Sequence, residues 1–261
     1  MEKDLTGSIQ GIRINKYLSS AGICSRREAD RMIEAGRVCI SGRTASEGDR
    51  VLESDTVTVD GRPVNSAPKP VLLLFYKPKG LICSTKKQGS AATVVDYLHY
   101  PERIYPVGRL DKDSEGLLLM TNQGTLMDTL LRSSNGHQRE YIVDTDRPVT
   151  RRFLEKMASG VEILGTKTLP CTVEKTGPCS FRITLTQGLN RQIRRMCEAL
   201  GCKVVRLKRI RIENLTADGL QPGEYRSITP EEYRELDRRL KEKQELPQTA
   251  MNSNSKKELH K

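Results

Sequence analysis

The stretch VGRLDKDSEGLLLMTNQG, Val107 to Gly124, sets a charged turn against an apolar run with the length of a buried strand. Asp111 stands between an arginine-leucine pair and a lysine. It is either a turn residue that happens to be charged or a carboxylate kept there for chemistry. The LLLM that follows is a strand able to fix such a group in place.

Outward from this stretch, strand-like and helix-like segments alternate. VLLLFYKP, from Val71, reads as a buried strand, followed by LLLMT, then helical TLMDTLLRS, strand-like EYIVDTD, helical TRRFLEKMASG, strand-like FRITLTQG, helical NRQIRRMCEALG and strand-like KVVRLKRIRI. The pattern predicts an α+β domain, a mixed sheet with helices packed against it. A doubly wound nucleotide-binding sheet would need phosphate-binding glycines after its first strand. Neither G-x-G-x-x-G nor a Walker-type loop occurs, so no nucleotide cofactor is expected. Thr229, Pro230 and Glu232 then mark a helix start with cap, N1 proline and capping-box acid, leading into EEYRELDRRLKEK.

Before Val71 lies a smaller α+β module. Ile14, Tyr17, Leu18 and Ala21 recur at helical spacing up to Gly22. Ser25 and Glu28 form a capping box for a second helix, whose apolar side is Ala29, Met32 and Ile33 and whose stop is Gly36. RVCI, from Arg37, and VTVDGRPV, with its Asp60-Gly61 turn, read as strands. The expected organisation is a module over 12–64, a linker over 65–70 (NSAPKP), a larger domain over 71–246 and a polar, disordered tail over 247–261.

The chain has 261 residues, with 44 Lys and Arg against 33 Asp and Glu, a formal charge of +11 that makes nucleic acid the first partner to consider. The basic residues cluster. Arg13, Lys16, Arg26, Arg27, Arg31, Arg37 and Arg43 stand against Glu28, Asp30 and Glu34 in the first module, which predicts one phosphate-facing surface. Between Arg182 and Arg211, Arg182, Arg191, Arg194, Arg195, Lys203, Arg206, Lys208, Arg209 and Arg211 oppose only Glu198. On the helix in that segment Ile193, Met196, Cys197 and Leu200 should face the core, so Arg191, Arg194 and Arg195 are presented by a packed element. Phosphate contact is the leading use for most of them, and one could instead pair with a buried carboxylate. Seven scattered cysteines without a C-x-x-C pair, and three histidines, argue against a structural metal or a disulfide framework. No run of eighteen apolar residues and no apolar signal-peptide core occur, so no membrane partner is expected and the expected location is the cytoplasm.

GRLDKDSEGLLLMTNQG resembles the catalytic motif of the RsuA-type pseudouridine synthases, in which G-R-L-D precedes G-L-L-L and T-N-x-G. REYIVDTD resembles that family's tyrosine-bearing second motif and GLNRQIRRMCEALG its basic third motif. RINKYLSSAGICSRREADRMIEAGRVCISGR resembles the S4-like RNA-binding domain that the family carries. CSRREAD, RSSNGHQREYIV, ASGVEILGT and FRITLTQGLNRQIRRMCE are most similar to the branch that acts on the large ribosomal subunit. Likeness runs from about Ile12 to about Leu236.

The resemblance implies an S4-like module, a catalytic domain with a largely antiparallel mixed sheet, and isomerisation of a specific uridine in 23S ribosomal RNA by a monomer. It implies no cofactor, since no electron, phosphoryl group or carbon unit enters or leaves. Small-subunit RNA or tRNA is the alternative substrate, and a noncatalytic ribosome-assembly protein the alternative class. Asp111 matches the reacting aspartate, which can stabilise positive charge at the ribose C1′, attack it, or take the C2′ proton. Tyr141 matches the active-site tyrosine that lies against the base, although strand periodicity alone reads it equally well as a core tyrosine. Arg194 matches the basic residue that pairs with the aspartate, and Arg109 the arginine that helps displace or replace the flipped base. Arg191 and Arg195 are expected in RNA phosphate contact or structural pairing, and Arg13, Lys16, Arg26, Arg27 and Arg31 in RNA binding. Asp113 and Glu115 read as turn or surface acids, and a paired-carboxylate hydrolase is the competing use of such residues. Gln123 and Arg139 depart from the family's usual residues and bear on substrate choice.

Overall fold

The structure, a computed structural model, describes residues 11–64, 68–85, 91–131 and 136–245. The expected tail over 247–261 and the linker positions 65–67 lie outside the described residues. The chain divides into two compact units, Met1–Pro70 and Val71–Lys261.

The first unit runs β1 (Ile12–Arg13), α1 (Ile14–Ser20), α2 (Arg26–Glu34), β2 (Val38–Ile40), β3 (Arg43–Thr44), β4 (Arg50–Val51), β5 (Val57–Val59) and β6 (Arg62–Pro63). The Ser25 hydroxyl accepts the Glu28 backbone N–H at 3.2 Å and starts α2. The Asp60-Gly61 turn joins β5 to β6 with both residues at positive φ, 51° and 75°, as a tight hairpin of native twist requires. Four strands form an antiparallel sheet in the order β3-β2-β5-β6, while β1 pairs with β4. Ile14, Leu18, Ala29, Met32, Ile33, Val38 and Ile40 close one core between helices and strands. The helical spacing expected from Ile14 and Leu18 is thus realised as burial on one face.

The second unit contains β7 (Leu72–Lys77), α3 (Val94–Leu98), β8 (Tyr105–Pro106), β9 (Glu115–Thr121), α4 (Gly124–Leu131), β10 (Arg139–Thr145), α5 (Arg151–Ala158), β11 (Glu162–Ile163), β12 (Thr166–Lys167), β13 (Thr172–Gly177), β14 (Ser180–Leu185), α6 (Gln192–Ala199), β15 (Val204–Ile212), β16 (Leu215–Thr216), β17 (Tyr225–Ser227) and α7 (Pro230–Glu245). Its main sheet follows the order β13-β14-β10-β15-β9-β7-β17, with β16 on β15 and β8 on β9. All of these pairs are antiparallel except β15 with β9. The mixed, largely antiparallel sheet is therefore present. Thr229 and Glu232 exchange two hydrogen bonds at the start of α7, a reciprocal capping box.

The continuous apolar runs of β7 and β9 are buried along their whole length because cores lie on both faces of the central sheet. Alternate residues divide between them: Leu72, Leu74, Leu117 and Leu119 on one side, Leu73, Phe75, Leu118 and Met120 on the other. A third core packs α5 and α6 against β10, β14 and β15, with Ile193, Met196 and Cys197 buried as the helical spacing predicts. The parallel contact sets Arg209 opposite Gly116. Gly116 has φ +104° and a Cβ there would lie 2.2 Å from the Arg209 carbonyl oxygen, so only glycine lets the two strands meet. Among the described residues no helix is long and apolar enough to cross a membrane.

Candidate active site

The loop that carries Asp111 is fixed by its backbone. Val107 N–H donates to Leu119 O at 2.8 Å, and Leu110 N–H to the buried Cys83 Sγ at 3.3 Å. Ser114 N–H donates to Asp111 O at 3.0 Å and closes the turn. Beneath it lies Lys77, fully buried at the end of β7, whose ammonium donates to Asp111 O at 3.2 Å, Ser114 O at 2.8 Å and Pro78 O at 3.0 Å. Burial pushes the Lys77 ammonium below its ordinary value, while Cys83, Asp113 and Asp111 act the other way. A charged donor with three carbonyl acceptors turns the loop into part of the sheet's framework. Sequence reasoning missed this residue. Its signal is a lysine ending the apolar run VLLLFYKP, where a strand core has no use for one.

Asp111 faces a cleft of about 390 Å³ whose lining includes Arg109, Arg139, Tyr141, Arg191, Leu207 and Arg209. That size is ample for one pyrimidine base. Tyr141 reaches it from β10, opposite Ile183 on one neighbouring strand and Arg209 on the other, half-buried against two of the cores. Arg109 is exposed at the cleft. Asp111, Tyr141, Arg109 and Arg191 are thus brought together.

The arginine beside Asp111 is not the expected one. Arg191 Nη1 lies 3.3 Å from Asp111 Oδ2 and 3.4 Å from Asp113 Oδ1, and its Nη2 lies 3.3 Å from Asp113 Oδ2. Arg194 instead donates to Asp113 O and Ser114 Oγ, each at 3.2 Å, to Val204 O at 3.2 Å, and sits 3.1 Å from Asp113 Oδ2. The reason is geometric. Arg191 occupies a left-handed conformation, φ +49°, just ahead of α6, and its guanidinium meets the Asp111 and Asp113 carboxylates, whereas Arg194, about one turn into the helix, meets Asp113 O and Ser114 Oγ of the same loop. Arg194 therefore positions the turn that carries Asp111.

Asp113 is an exposed turn acid, as expected, whereas Glu115 is corrected. Asp113 is bound by both arginines. Burial works against its charge, but the Arg191 hydrogen bonds and the Arg194 charge prevail and hold the carboxyl below its ordinary value. Glu115 is buried as the first residue of β9, 2.6 Å from Arg206 Nε and within 3.5 Å of the Tyr76 hydroxyl. It forms a structural pair outside the cleft lining. Arg195 bends back onto Asn190 O at 3.1 Å and Asn190 Oδ1 at 3.4 Å, where it orders the loop before α6.

Two further arginines enter the cleft from the sheet. Arg139 donates to Leu130 O at 3.1 Å; burial and the nearby Arg209 charge push it below its ordinary value, with Tyr141 and Glu213 acting oppositely. Arg209 is 2% exposed and donates from Nε to Leu117 O at 2.7 Å. In the sequence it looked like one more member of a basic run. Only its period-2 relation to Leu207 distinguishes it as inward-facing.

In the first unit, Arg13, Lys16 and Arg26 line a groove of about 350 Å³ with Gly11, Ile12, Asn15 and Arg50. Arg50, which donates to Gly11 O at 2.6 Å, was missed because it stands among Glu47, Asp49, Glu53 and Asp55, in a stretch where acids outnumber bases. Arg27 and Arg31 are exposed outside that lining, and Arg31 pairs with Glu28 along α2.

Residues 71–199 match the family model described as RNA pseudouridylate synthase, and residues 12–57 match the S4 domain. The chain is 49% identical over 226 residues to the dual-specificity RNA pseudouridine synthase RluF of Salmonella typhi, covering 86% of this chain and 78% of that one. It is 34% identical over 232 residues to the ribosomal large subunit pseudouridine synthase B of Bacillus subtilis, covering 86% and 95%. A crystal structure of a pseudouridylate synthase superposes with a TM-score of 0.64 at 26% identity, over 86% of this chain and 99% of that one. With a GRLD loop, a strand tyrosine and an arginine-rich helix converging on one cleft, and with this breadth of likeness, the chain belongs to the RsuA-type RNA pseudouridine synthases, isomerases that carry an S4 domain.

Proposed function

We propose that the protein isomerises a uridine of large-subunit (23S) ribosomal RNA, acting in the cytoplasm as a monomer without cofactor, with Asp111 as the reacting carboxylate. The observation that carries this reading is the position of Asp111: its side chain opens into the cleft that Tyr141 lines, while its backbone is held by Lys77 and Ser114. A carboxylate so placed acts at the ribose C1′ or C2′ of a nucleotide swung out of its stack. Arg191 supplies its counter-charge. Tyr141 lies against the base, and Arg109, exposed at the cleft, fills the space that the flipped base vacates. The apolar lining of Leu131, Leu185, Leu189, Ile193 and Leu207 keeps water from the detached base, without which an abasic site would form in place of an isomer.

Binding energy for the flip comes from the basic groove of the S4 domain and from the arginines of the cleft. The choice of large-subunit RNA is supported by the name of the Bacillus subtilis relative. A second reading, in which the same site also accepts another RNA class such as tRNA, is favoured by the dual specificity in the name of the RluF relatives. The test is to map pseudouridines by carbodiimide-dependent reverse-transcription stops across all stable RNAs with and without the gene. Loss of a large-subunit stop supports the first reading, loss of an additional tRNA stop the second, and an unchanged map contradicts both.

A further inference from the structure

Arg209 is an anomaly of the cleft. It is 2% exposed, and its Nη2 has no hydrogen-bond partner among the described residues. Its one strong contact is from Nε to Leu117 O at 2.7 Å. Neither Arg209 nor Arg139, which also lines the cleft, forms an ion pair among the described residues, although Arg191 and Arg194 both meet carboxylates of the Asp111 loop. An uncompensated buried cation is costly, and a donor left without an acceptor adds to the cost. Such an arrangement is retained where the missing acceptor arrives with the substrate.

The register shows which part of the substrate this is. Arg209 stands directly opposite Tyr141 on the adjacent strand, so the two side chains project to the same face of the sheet. Leu207, two residues away, lies on that face as well and shares the cleft lining. Gly116 lets β9 approach so closely that Arg209 sits beneath the start of the strand leading from Asp111. The carboxylate therefore addresses the sugar while the guanidinium lies on the wall that holds the base.

We infer that Arg209, seconded by Arg139, is a catalytic residue that stabilises the negative charge carried by the uracil once its bond to the ribose breaks. This rests on the isomerisation proposed above. When the C1′–N1 bond breaks, its electron pair leaves with the base, and the resulting anion spreads its charge over N1, O2 and O4. Either C1′ bonds to an Asp111 carboxylate oxygen, or C2′ gives its proton to that carboxylate and the C2′–H pair forms a C1′=C2′ double bond. The base then turns, and C5 forms the new bond to C1′. In the first route the C1′–O bond pair returns to the carboxylate; in the second the protonated Asp111 gives its proton back to C2′ as C5 bonds to C1′. C5 loses its proton, N1 gains one, and the sum is an isomerisation. The neutral uridine offers Arg209 only a carbonyl oxygen, whereas the detached base offers one bearing charge, so the interaction strengthens as the bond breaks.

The test uses the full chain and transcripts of large-subunit ribosomal RNA made with uridine or with 5-fluorouridine. Fluorine at C5 withdraws electrons and stabilises the detached base without help from the protein. Single-turnover cleavage of C1′–N1 is followed by mass spectrometry of nuclease digests for wild type, Arg209→Gln and Arg209→Lys, with RNA affinity from filter binding. Arg209→Gln is expected to slow the uridine reaction by about 100-fold, to slow the 5-fluorouridine reaction by about tenfold or less, and to leave affinity within about threefold. Arg209→Lys keeps the charge and the fold, and is expected to show a smaller loss with the same dependence on fluorine. Equal slowing of both substrates in both variants, or weaker binding with an unchanged single-turnover rate, would overturn the inference. A wild-type enzyme that forms no pseudouridine would instead overturn the function on which it rests, so the two failures are distinguishable.

Discussion

Arg191 and Asp111, 80 positions apart in sequence, form an ion pair with Nη1 3.3 Å from Oδ2 at the mouth of the cleft. The side chains are 42% and 31% exposed, so solvent screens the pair and its contribution to stability is at most about 1 kcal/mol. Arg191→Ala should therefore leave the melting temperature nearly unchanged. Its single-turnover rate should fall by about tenfold, because the reacting carboxylate loses its counter-charge and Asp113 loses its bridge. A melting curve beside a rate measurement separates the two effects.

Lys77 acts from below the same loop. Lys77→Met keeps the stem's volume but leaves the carbonyls of Pro78, Asp111 and Ser114 without their donor. The expected cost is about 3 kcal/mol, from unsatisfied acceptors worth roughly 1–3 kcal/mol each with partial relaxation. kcat should fall much further than RNA affinity, since the loop that aims Asp111 is loosened while the RNA-binding surface is untouched. Urea titration and filter binding measure the two sides of this split.

Glu213 ties α7 to the segment that leads into β10. Its Oε1 accepts from Lys243 Nζ at 2.5 Å and Gln138 N–H at 2.7 Å, and lies 3.2 Å from His137 Nδ1. Burial opposes its charge, but these contacts win and bring it from 4.5 to about 2. A carboxyl with a depressed folded value contributes stability that is complete above its unfolded value and is lost as pH falls through the folded one. The window here is from about pH 4.5 down to about pH 2. Glu213→Gln should cost about 3 kcal/mol at pH 7, and the gap to wild type should close across that window in urea titrations at stepped pH.

In the S4 domain, the groove formed by Arg13, Lys16, Arg26 and Arg50 is expected to hold RNA phosphates. Lys16→Ala should weaken binding and reduce the slope of log affinity against log salt by about 0.7 to 0.9. kcat at saturating RNA should stay at the wild-type value. Binding isotherms at several salt concentrations, with turnover at saturation, check both statements.

Much of this architecture is written in local sequence. The Ser25 cap, the Asp60-Gly61 hairpin and the Thr229–Glu232 capping box are short-range features, and each forms as its residue types require. The burial of Ile193, Met196 and Cys197 follows from helical spacing alone. Motif resemblance brought out Asp111 and Tyr141 as candidates. What escaped was the identity of partners across the fold. Whether Arg191 or Arg194 meets Asp111 depends on one left-handed residue before α6, and a positive φ at arginine has no sequence signature. Glu115 looked like part of a charged turn because the strand begins two residues earlier than its LLLM run. Lys77 and Arg209 are interior cations whose acceptors are backbone carbonyls distant in sequence, and residue types do not disclose such pairings.

The most direct measurement is pseudouridine formation in a large-subunit ribosomal RNA transcript by the wild-type chain and by Asp111→Ala, with RNA binding determined in parallel. The expected result is stoichiometric conversion of a defined uridine by the wild type and none by the variant, at RNA affinities within about threefold of each other. Equal product from the two proteins would contradict the central role of Asp111.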